Sequence, residues 1–582
     1  MNPEQNLFKD PPPPLPPRPI KVPAASETTL SNGLGIVVVE DPRLPLVSYR
    51  LALRTGDAHD PAELPGLMDM MTGLLTEGTA SRTSREIADE VARLGAALQA
   101  GANSDFTTVA ASSLSNFSDN ILELIADVAL RPSFPENEVS LAKQNTKESL
   151  KQQRAQPSFL ASETVARVMF GDHPYHVTAP TPESVNAVTR ERLVEFHRST
   201  FVANNAVMVV VGDVNRDSII AKIENLFGQW AQGTVMGDNF PAPPKRTSRS
   251  AYVVDRPGSA QTNIVIANQG ITRTSPDYFP MLLMHTVLGA NASSRLFMNL
   301  REDKGYTYGA YSSLDARRTA GTFRVTAEVR TPVTGDSLKE FFYELDRIRT
   351  EPVSEQELSD AKAYLTGVYP IRLETQEGLI DQLVQIKMFG LPDNYLEVYR
   401  DQIQEVTSDQ VLEVSRKYVR PDEGAIVIVG DGSQLEEQVK PYVEEIEFYN
   451  TAGKKKAKPS AAPDYSPETA RSLAGSWSLN IDTPLGQAIP ATLILENGLK
   501  GISGKVKSEM GNGELLSVTL DGESFAGTIS FDIAGHAMEA QIEGEMANNQ
   551  MEGSITLQDT PALSFTGSKS VGSQSVSADD PD

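Results

Sequence analysis

The sequence predicts an α+β chain: two homologous two-layer α/β sandwich modules followed by a C-terminal all-β domain. Three observations carry that prediction. The 582 residues, 40% hydrophobic and 22% charged, make room for three or four globular units at roughly 150 residues each. The chain also repeats itself. The segment from Val188, VTRERLVEFHRSTFVANNAVMVVVGD, aligns without a gap on the segment from Val406, VTSDQVLEVSRKYVRPDEGAIVIVGD, and likeness on this scale marks duplicated modules rather than solenoid units. Beyond residue 468 the helical period gives way to short strands separated by Gly, Asn and Asp.

In chain order, residues 1–30 are a proline-rich arm, extended and stiff because Pro11 to Pro14, Pro16, Pro17 and Pro19 fix the backbone. The first module covers 31–240. Its segments GLGIVVVED and LVSYRLALR read as strands by β-branched content and by alternation at Tyr49, Leu51 and Leu53. Between Thr83 and Ala100, a Thr-x-x-Glu capping box precedes Ile87, Val91 and Leu94 at helical spacing, which predicts an amphipathic helix. NILELIADVAL predicts another. The two repeat copies each read as helix, turn and buried strand, with Leu193/Val411, Phe196/Val414, Val209/Val427 and Val211/Val429 matched in type. A connector at 241–250 leads to the second module, 251–447, where AYVVDR, TNIVIANQ and GTFRVTAEV read as strands. SPDYFPMLLMHTVLG and SLKEFFYELDRIR read as its helices. This alternation predicts helices on one face of each sheet. A lysine- and proline-rich linker spans 448–468, a barrel or sandwich of about eight strands spans 469–571 with Trp477 as a core anchor, and a tail spans 572–582.

The net charge of −25 argues against nucleic acid or an anionic membrane as partner. Zero cysteines removes disulfides, thiolate metal sites and a cysteine nucleophile. No signal peptide and no apolar run long enough to span a membrane is visible, so the expected compartment is cytoplasmic, or periplasmic if a leader was trimmed. The six histidines do not gather into a metal motif. His173 and His176 lie in the loop GDHPYH, and His285 sits in an apolar helix. Nor is there a P-loop or a Gly-x-Ser-x-Gly elbow.

Two segments do carry chemistry. PGLMDMMTGLLTEGT from Pro65 forms a helix with Leu67, Met70, Met71, Leu74 and Leu75 on one face and Asp69, Thr72 and Gly73 on another. ASSRLFMNLREDKGYTYGAYSS carries Arg301 and Tyr308 after a serine pair and a glycine turn. An arginine fork can hold a carbonyl or carboxylate, and a tyrosine hydroxyl can donate to an oxyanion.

Together these segments resemble the pitrilysin-type inverted-zincin metallopeptidases, whose branches include the processing peptidases. That family carries G-L-x-H-x-x-E-H-x-L-x-x-G-T on the first helix, and Gly66, Leu67, Leu75, Gly78 and Thr79 match its frame. The active motif is absent. Asp69 and Gly73 occupy the zinc-histidine positions, Thr72 the catalytic glutamate, and Ser149, or Glu148 one residue away, the third ligand. Glycine offers no ligand atom and threonine no base near neutral pH, so the chain is expected to bind no metal. Ser293, Ser294, Arg295, Leu296, Arg301, Gly305 and Tyr308 match the family's second signature, S-S-R-L-x-x-x-L-R-E-x-x-G-x-x-Y.

The resemblance implies a non-zinc subunit that lends Arg301 and Tyr308, as substrate-binding and catalytic groups, to a sister chain bearing HxxEH and Zn2+. The substrate would be an unfolded peptide added to a sheet edge. The alternatives are an inactive scaffold or core-like subunit, and a homodimer that binds peptide without cutting it.

Overall fold

The computed structural model describes residues 23–456 and 473–570, apart from 483–487, 499–500, 509–510, 522–523, 534–535, 548 and 558–562. The proline run, most of the linker after 456 and the tail after 570 lie outside the described residues.

The first sheet holds β1 (Ala25–Thr29), β2 (Gly35–Glu40), β3 (Leu46–Leu53), β4 (Ala97–Ala102), β5 (Thr107–Leu114) and β6 (Ala206–Gly212) in the order β1-β2-β6-β3-β5-β4. Its half of the chain also supplies α1 (Leu67–Gly73), α2 (Ser84–Leu94), α3 (Ser118–Leu130), α4 (Glu136–Arg154), α5 (Pro157–Phe170), α6 (Pro182–Ala187), α7 (Arg190–Thr200) and α8 (Arg216–Phe227). The second sheet holds β7 (Ser250–Asp255), β8 (Gln261–Gln269), β9 (Thr307–Ala316), β10 (Gly321–Arg330), β11 (Ala425–Gly430), β12 (Ile446–Tyr449) and β13 (Lys455–Lys456), in the order β13-β12-β7-β11-β8-β10-β9. Its helices are α9 (Tyr278–Gly289), α10 (Arg295–Phe297), α11 (Thr334–Thr350), α12 (Glu355–Glu374), α13 (Gln376–Phe389), α14 (Tyr395–Glu405), α15 (Ser408–Tyr418) and α16 (Gly432–Val439).

The repeat is visible in the pairing. The strand that ends each repeated segment inserts between two earlier ones: β6 runs parallel to β2 and antiparallel to β3, and β11 runs parallel to β7 and antiparallel to β8. Each inserted strand follows a helix capped by a threonine, Thr189 before α7 and Thr407 before α15.

The expectation of two layers with helices on one face needs correction. Each sheet is covered on both faces, and the second cover comes from the other half of the chain. Leu160, Ala161, Val165 and Met169 of α5 pack on Val254, Val265, Ala267, Val427 and Val429 of the second sheet. Reciprocally, Leu379, Ile380, Leu383 and Val384 of α13 pack on Val37, Val39, Ala52, Val209 and Val211 of the first. Arg50 on β3, its side chain only 10% exposed, pairs with Glu377 and Asp381 of α13 and fixes that helix in place. The physical reason was in the strands. β2, β6 and β11 are unbroken apolar runs, the pattern of strands buried on both faces rather than one.

Three element boundaries also differ. The first sheet begins before residue 31, because β1 (Ala25–Thr29) lies inside the stretch read as a proline-rich arm and pairs antiparallel with β2. The helix foreseen from Thr83 to Ala100 keeps its capping box but stops at Leu94. Gly95 ends it in the left-handed conformation (φ 58), and the chain turns into β4. The second sheet continues past residue 447, because β12 and β13 extend it into the stretch read as linker, with Phe448 buried. The C-terminal region forms a closed eight-stranded barrel, β14 to β21 (Gly475–Asp482 through Leu563–Lys569), each strand antiparallel to the next and the last paired with the first. Trp477 is fully buried there, its ring N–H donating to the Leu473 carbonyl at 2.8 Å. Among the described residues no helix is long and apolar enough to cross a membrane.

Candidate functional site

Helix α1 is short and tightly held. Gly66 precedes it at φ 88, and a Cβ there would sit 2.6 Å from Pro180 Cβ, so only glycine fits. The Asp60 carboxylate accepts the Gly66 and Met68 N–H groups at 2.7 and 2.8 Å, which satisfies free donors at the start of the helix. Leu67, Met68, Met70 and Met71 anchor one side in the core.

On the opposite side Asp69 and Gly73 meet Ser149 of α4 across a cavity of about 530 Å3. The structure therefore brings three of the four motif positions together. Thr72 is the exception. It is 1% exposed and its hydroxyl donates to the Asp69 carbonyl at 3.0 Å. Glu148 stays off the cavity wall and pairs with Lys151 at 3.0 Å, so Ser149 holds the position facing α1. Glu77 and Glu138 line the cavity too. Sequence reasoning missed both, since Glu77 fills an unspecified position of the motif, Glu138 lies outside it, and only the packing of α1 against α4 unites them. Surrounding protein and the nearby Asp57 charge raise the Asp69 carboxyl to about 6.

These residues do not fit a zinc ion. A Cβ built on Gly73 meets nothing within 4 Å, so the space for a ligand side chain exists and the ligand atom does not. Among the described residues no group of three His, Cys, Asp or Glu could hold a metal. His173 and His176 are separately engaged. His173 contacts Thr319 Oγ1 at 3.0 Å and accepts the Tyr175 N–H at 3.1 Å, and burial lowers its ring to about 4. His176 Nδ1 lies 2.9 Å from the His173 carbonyl.

In the second half α10 continues into a π-helical turn, Met298–Asp303, which carries Arg301. Such turns are rare and recur at functional sites. Arg301 pairs with Glu302, and its guanidinium lies 5.1 Å from the centre of the Phe297 ring. The chain then reverses at Gly305 (φ 63) and enters β9, so Tyr308 stands at the start of an edge strand with its side chain 89% exposed. Tyr308 lines a cavity of about 730 Å3 with Arg256, Glu328 and Arg330. Arg301 is not on that wall, so the turn links the two residues without bringing them to one cavity. The Asp69 and Tyr308 cavities share no lining residue.

A family model described as insulinase (peptidase family M16) matches residues 36–182, and one described as peptidase M16 inactive domain matches residues 187–365. The chain belongs to peptidase family M16. This M16 chain is 26% identical over 406 residues to an uncharacterized zinc protease of Mycobacterium leprae, covering 69% of this chain and 91% of that one. It is 22% identical over 410 residues to the uncharacterized zinc protease YmxG of Bacillus subtilis, covering 70% and 98%. A crystal structure described as a peptidase M16 inactive domain from Pseudomonas fluorescens matches with a TM-score of 0.67 at 27% identity, covering 70% of this chain and 98% of that one. A protease from Helicobacter pylori shares the fold, with a TM-score of 0.66 at 19% identity over 70% of this chain and 100% of the other.

Proposed function

We propose that this M16 chain is the zinc-less member of a heterodimeric peptidase, giving Tyr308 and Arg301 to a sister chain that carries HxxEH and the metal. The observation that carries the reading is a contrast within one molecule. The cavity at Asp69, Gly73 and Ser149 lacks the donors a zinc site needs, while Tyr308 is held out at 89% exposure from an edge strand. An exposed tyrosine at that place suits a hydrogen bond to charge developing on a bound carbonyl, which is a contribution to the transition state. Arg301 gives the planar fork that grips a peptide carbonyl, once it exchanges its Glu302 partner for substrate. An unfolded peptide would add alongside an edge strand, with backbone hydrogen bonds supplying affinity.

The test mixes this chain with an HxxEH-bearing M16 chain encoded in the same organism. A heterodimer by size-exclusion chromatography and cleavage of a quenched peptide that neither chain cuts alone are expected. Full activity of the sister by itself would leave this chain a scaffold. That second reading draws on one observation, that Arg301 already has a carboxylate partner.

A further inference from the structure

A cavity of about 980 Å3 lies in the second half between α11, α12 and the π-helical turn, with neither Tyr308 nor Asp69 on its wall. Three of its lining side chains are more than nine-tenths buried: Arg295 is 7% exposed, Asn299 8% and Glu344 3%. Each is half satisfied. Arg295 donates Nε and Nη2 to Glu357 at 2.6 and 2.9 Å, and Asn299 donates to Glu340 and Glu344 at 3.1 and 3.0 Å. Each also keeps one polar atom without a hydrogen-bond partner, namely Arg295 Nη1, Asn299 Oδ1 and Glu344 Oε2. Arg347 stands 3.6 Å from that Glu344 oxygen, too far for a hydrogen bond. A buried donor or acceptor left unmet is costly, so three on one cavity wall call for an explanation.

The opening supplies apolar contact. Met298, Tyr343 and Tyr364 line the same cavity at 45%, 55% and 44% exposure. A few convergent polar groups beneath an apolar rim is the usual make-up of a small-ligand site.

The unmet set defines the occupant. One donor and two acceptors are met by a ligand that brings at least two N–H or O–H groups and one accepting oxygen. An ammonium group beside a carbonyl or carboxylate offers this on neighbouring atoms. Charges of both signs line the wall, Lys304 and Lys339 among Glu340 and Asp360, which suits a zwitterion. A phosphate would face Glu340 and Glu344, and a bare cation would face Arg295 and Lys339.

We propose that this cavity binds the head group of an α-amino acid, its ammonium on Asn299 and Glu344 and its carboxylate or carbonyl on Arg295. An apolar side chain lies against Tyr343 and Tyr364. The three unmet atoms are shielded from solvent, so a ligand engages them only when the side chains that carry them turn toward the cavity. Asn299 shares the π-helical turn with Arg301, and an occupant would therefore also steady the turn that carries Arg301. A free amino acid and the amino terminus of a peptide offer the same head group.

Titration calorimetry of the full-length chain tests this with L-phenylalanine, L-phenylalaninamide, the tripeptide Phe-Gly-Gly and N-acetyl-L-phenylalanine. Saturable binding with Kd at or below about 1 mM is expected, weakened at least about 10-fold by acetylation. Glu344→Gln should weaken it by about 10-fold or more. Should that buried change unfold the chain, Tyr364→Ser at the exposed rim should still weaken it by roughly 3- to 10-fold. Preference for the free acid identifies an amino acid as the ligand. Equal or tighter binding of the amide and tripeptide identifies a peptide amino terminus. No heat from any probe at about 10 mM, or binding indifferent to acetylation and to Tyr364→Ser, overturns the proposal and leaves a cavity filled by water. No readout needs a sister chain, so failure here leaves the heterodimer reading standing, and the reverse holds too.

Discussion

The two halves of this chain share a sheet plan and differ in what they place around it. Both insert the strand of the repeat, β6 or β11, between two earlier ones, and both lend a helix to the far face of the other's sheet. Around the sheets they part. The first half ends α1 in a glycine with open space beside it, and its cavity holds no metal-binding set. The second half crowds its cavity with paired charges, carries a π-helical turn and presents Tyr308 from an edge strand. The halves are therefore alike where packing sets residue type, in the apolar strands, and differ in the side chains that face open space. A sheet residue has neighbours on every side to hold its identity. A cavity residue has few.

The exchanged helices are the strongest test of the shared plan. Ile380→Ala in α13 and Leu160→Ala in α5 each remove a fully buried side chain from the opposite half's sheet and should cost about 2–5 kcal/mol. Because each helix bridges both halves, urea unfolding of either variant should remain one transition for the two-module body. Two resolved transitions would show that the halves are energetically independent.

The next effect concerns the difference between the halves. In the reconstituted heterodimer, Tyr308→Phe should lower kcat about 100- to 1000-fold, roughly 3–4 kcal/mol, with little change in KM. Its own stability should move by less than about 0.5 kcal/mol, since the side chain is 89% exposed. Arg301→Lys should recover only part of the activity lost in Arg301→Ala, because lysine lacks the fork. Wild-type turnover by all three variants would place the pair among surface residues.

The pH response should separate the cavities from the core. Burial holds His173, His197 and His285 near 4, below the free value of 6.5, so each stays neutral in the folded chain. Their contribution is complete above 6.5 and is lost as pH falls toward 4, at most about 3 kcal/mol per histidine. Asp69 runs the other way. Its carboxyl is raised to about 6 from 3.8, so its contribution is complete at low pH and declines as pH rises through 6. Thermal melts across this range should fall on the acid side, and His197→Gln should flatten that fall. Asp69→Asn should remove the opposing slope.

The smallest effect is the most local. Gly73→Ala should stabilise the chain by about 0.5–1 kcal/mol, because alanine is the better helix former and the added methyl meets nothing within 4 Å. A loss of stability would show that the space beside Gly73 closes in solution.

Local rules set much of this molecule. The capping box at Thr83, the β-branched strands β2 and β3, the repeat of α7–β6 in α15–β11 and the barrel's alternating strands were all legible, because each depends on neighbours a few residues away. The absence of HxxEH on α1 is likewise a matter of residue type alone. β1, β4, β5 and β9 were missed because small and polar residues outnumber large apolar ones in each, which leaves no strong alternation. α5 and α13 were not read from the sequence, and which sheet each covers is settled only by packing between the halves. The unbroken apolar runs in β6 and β11 demanded a second cover without naming it. The same holds for the cavities. That Asp69, Gly73 and Ser149 share a wall, that Arg301 and Tyr308 do not, and that Arg295, Asn299 and Glu344 each keep an unmet atom beside one opening were decided by long-range packing, which sets distances that residue order leaves free.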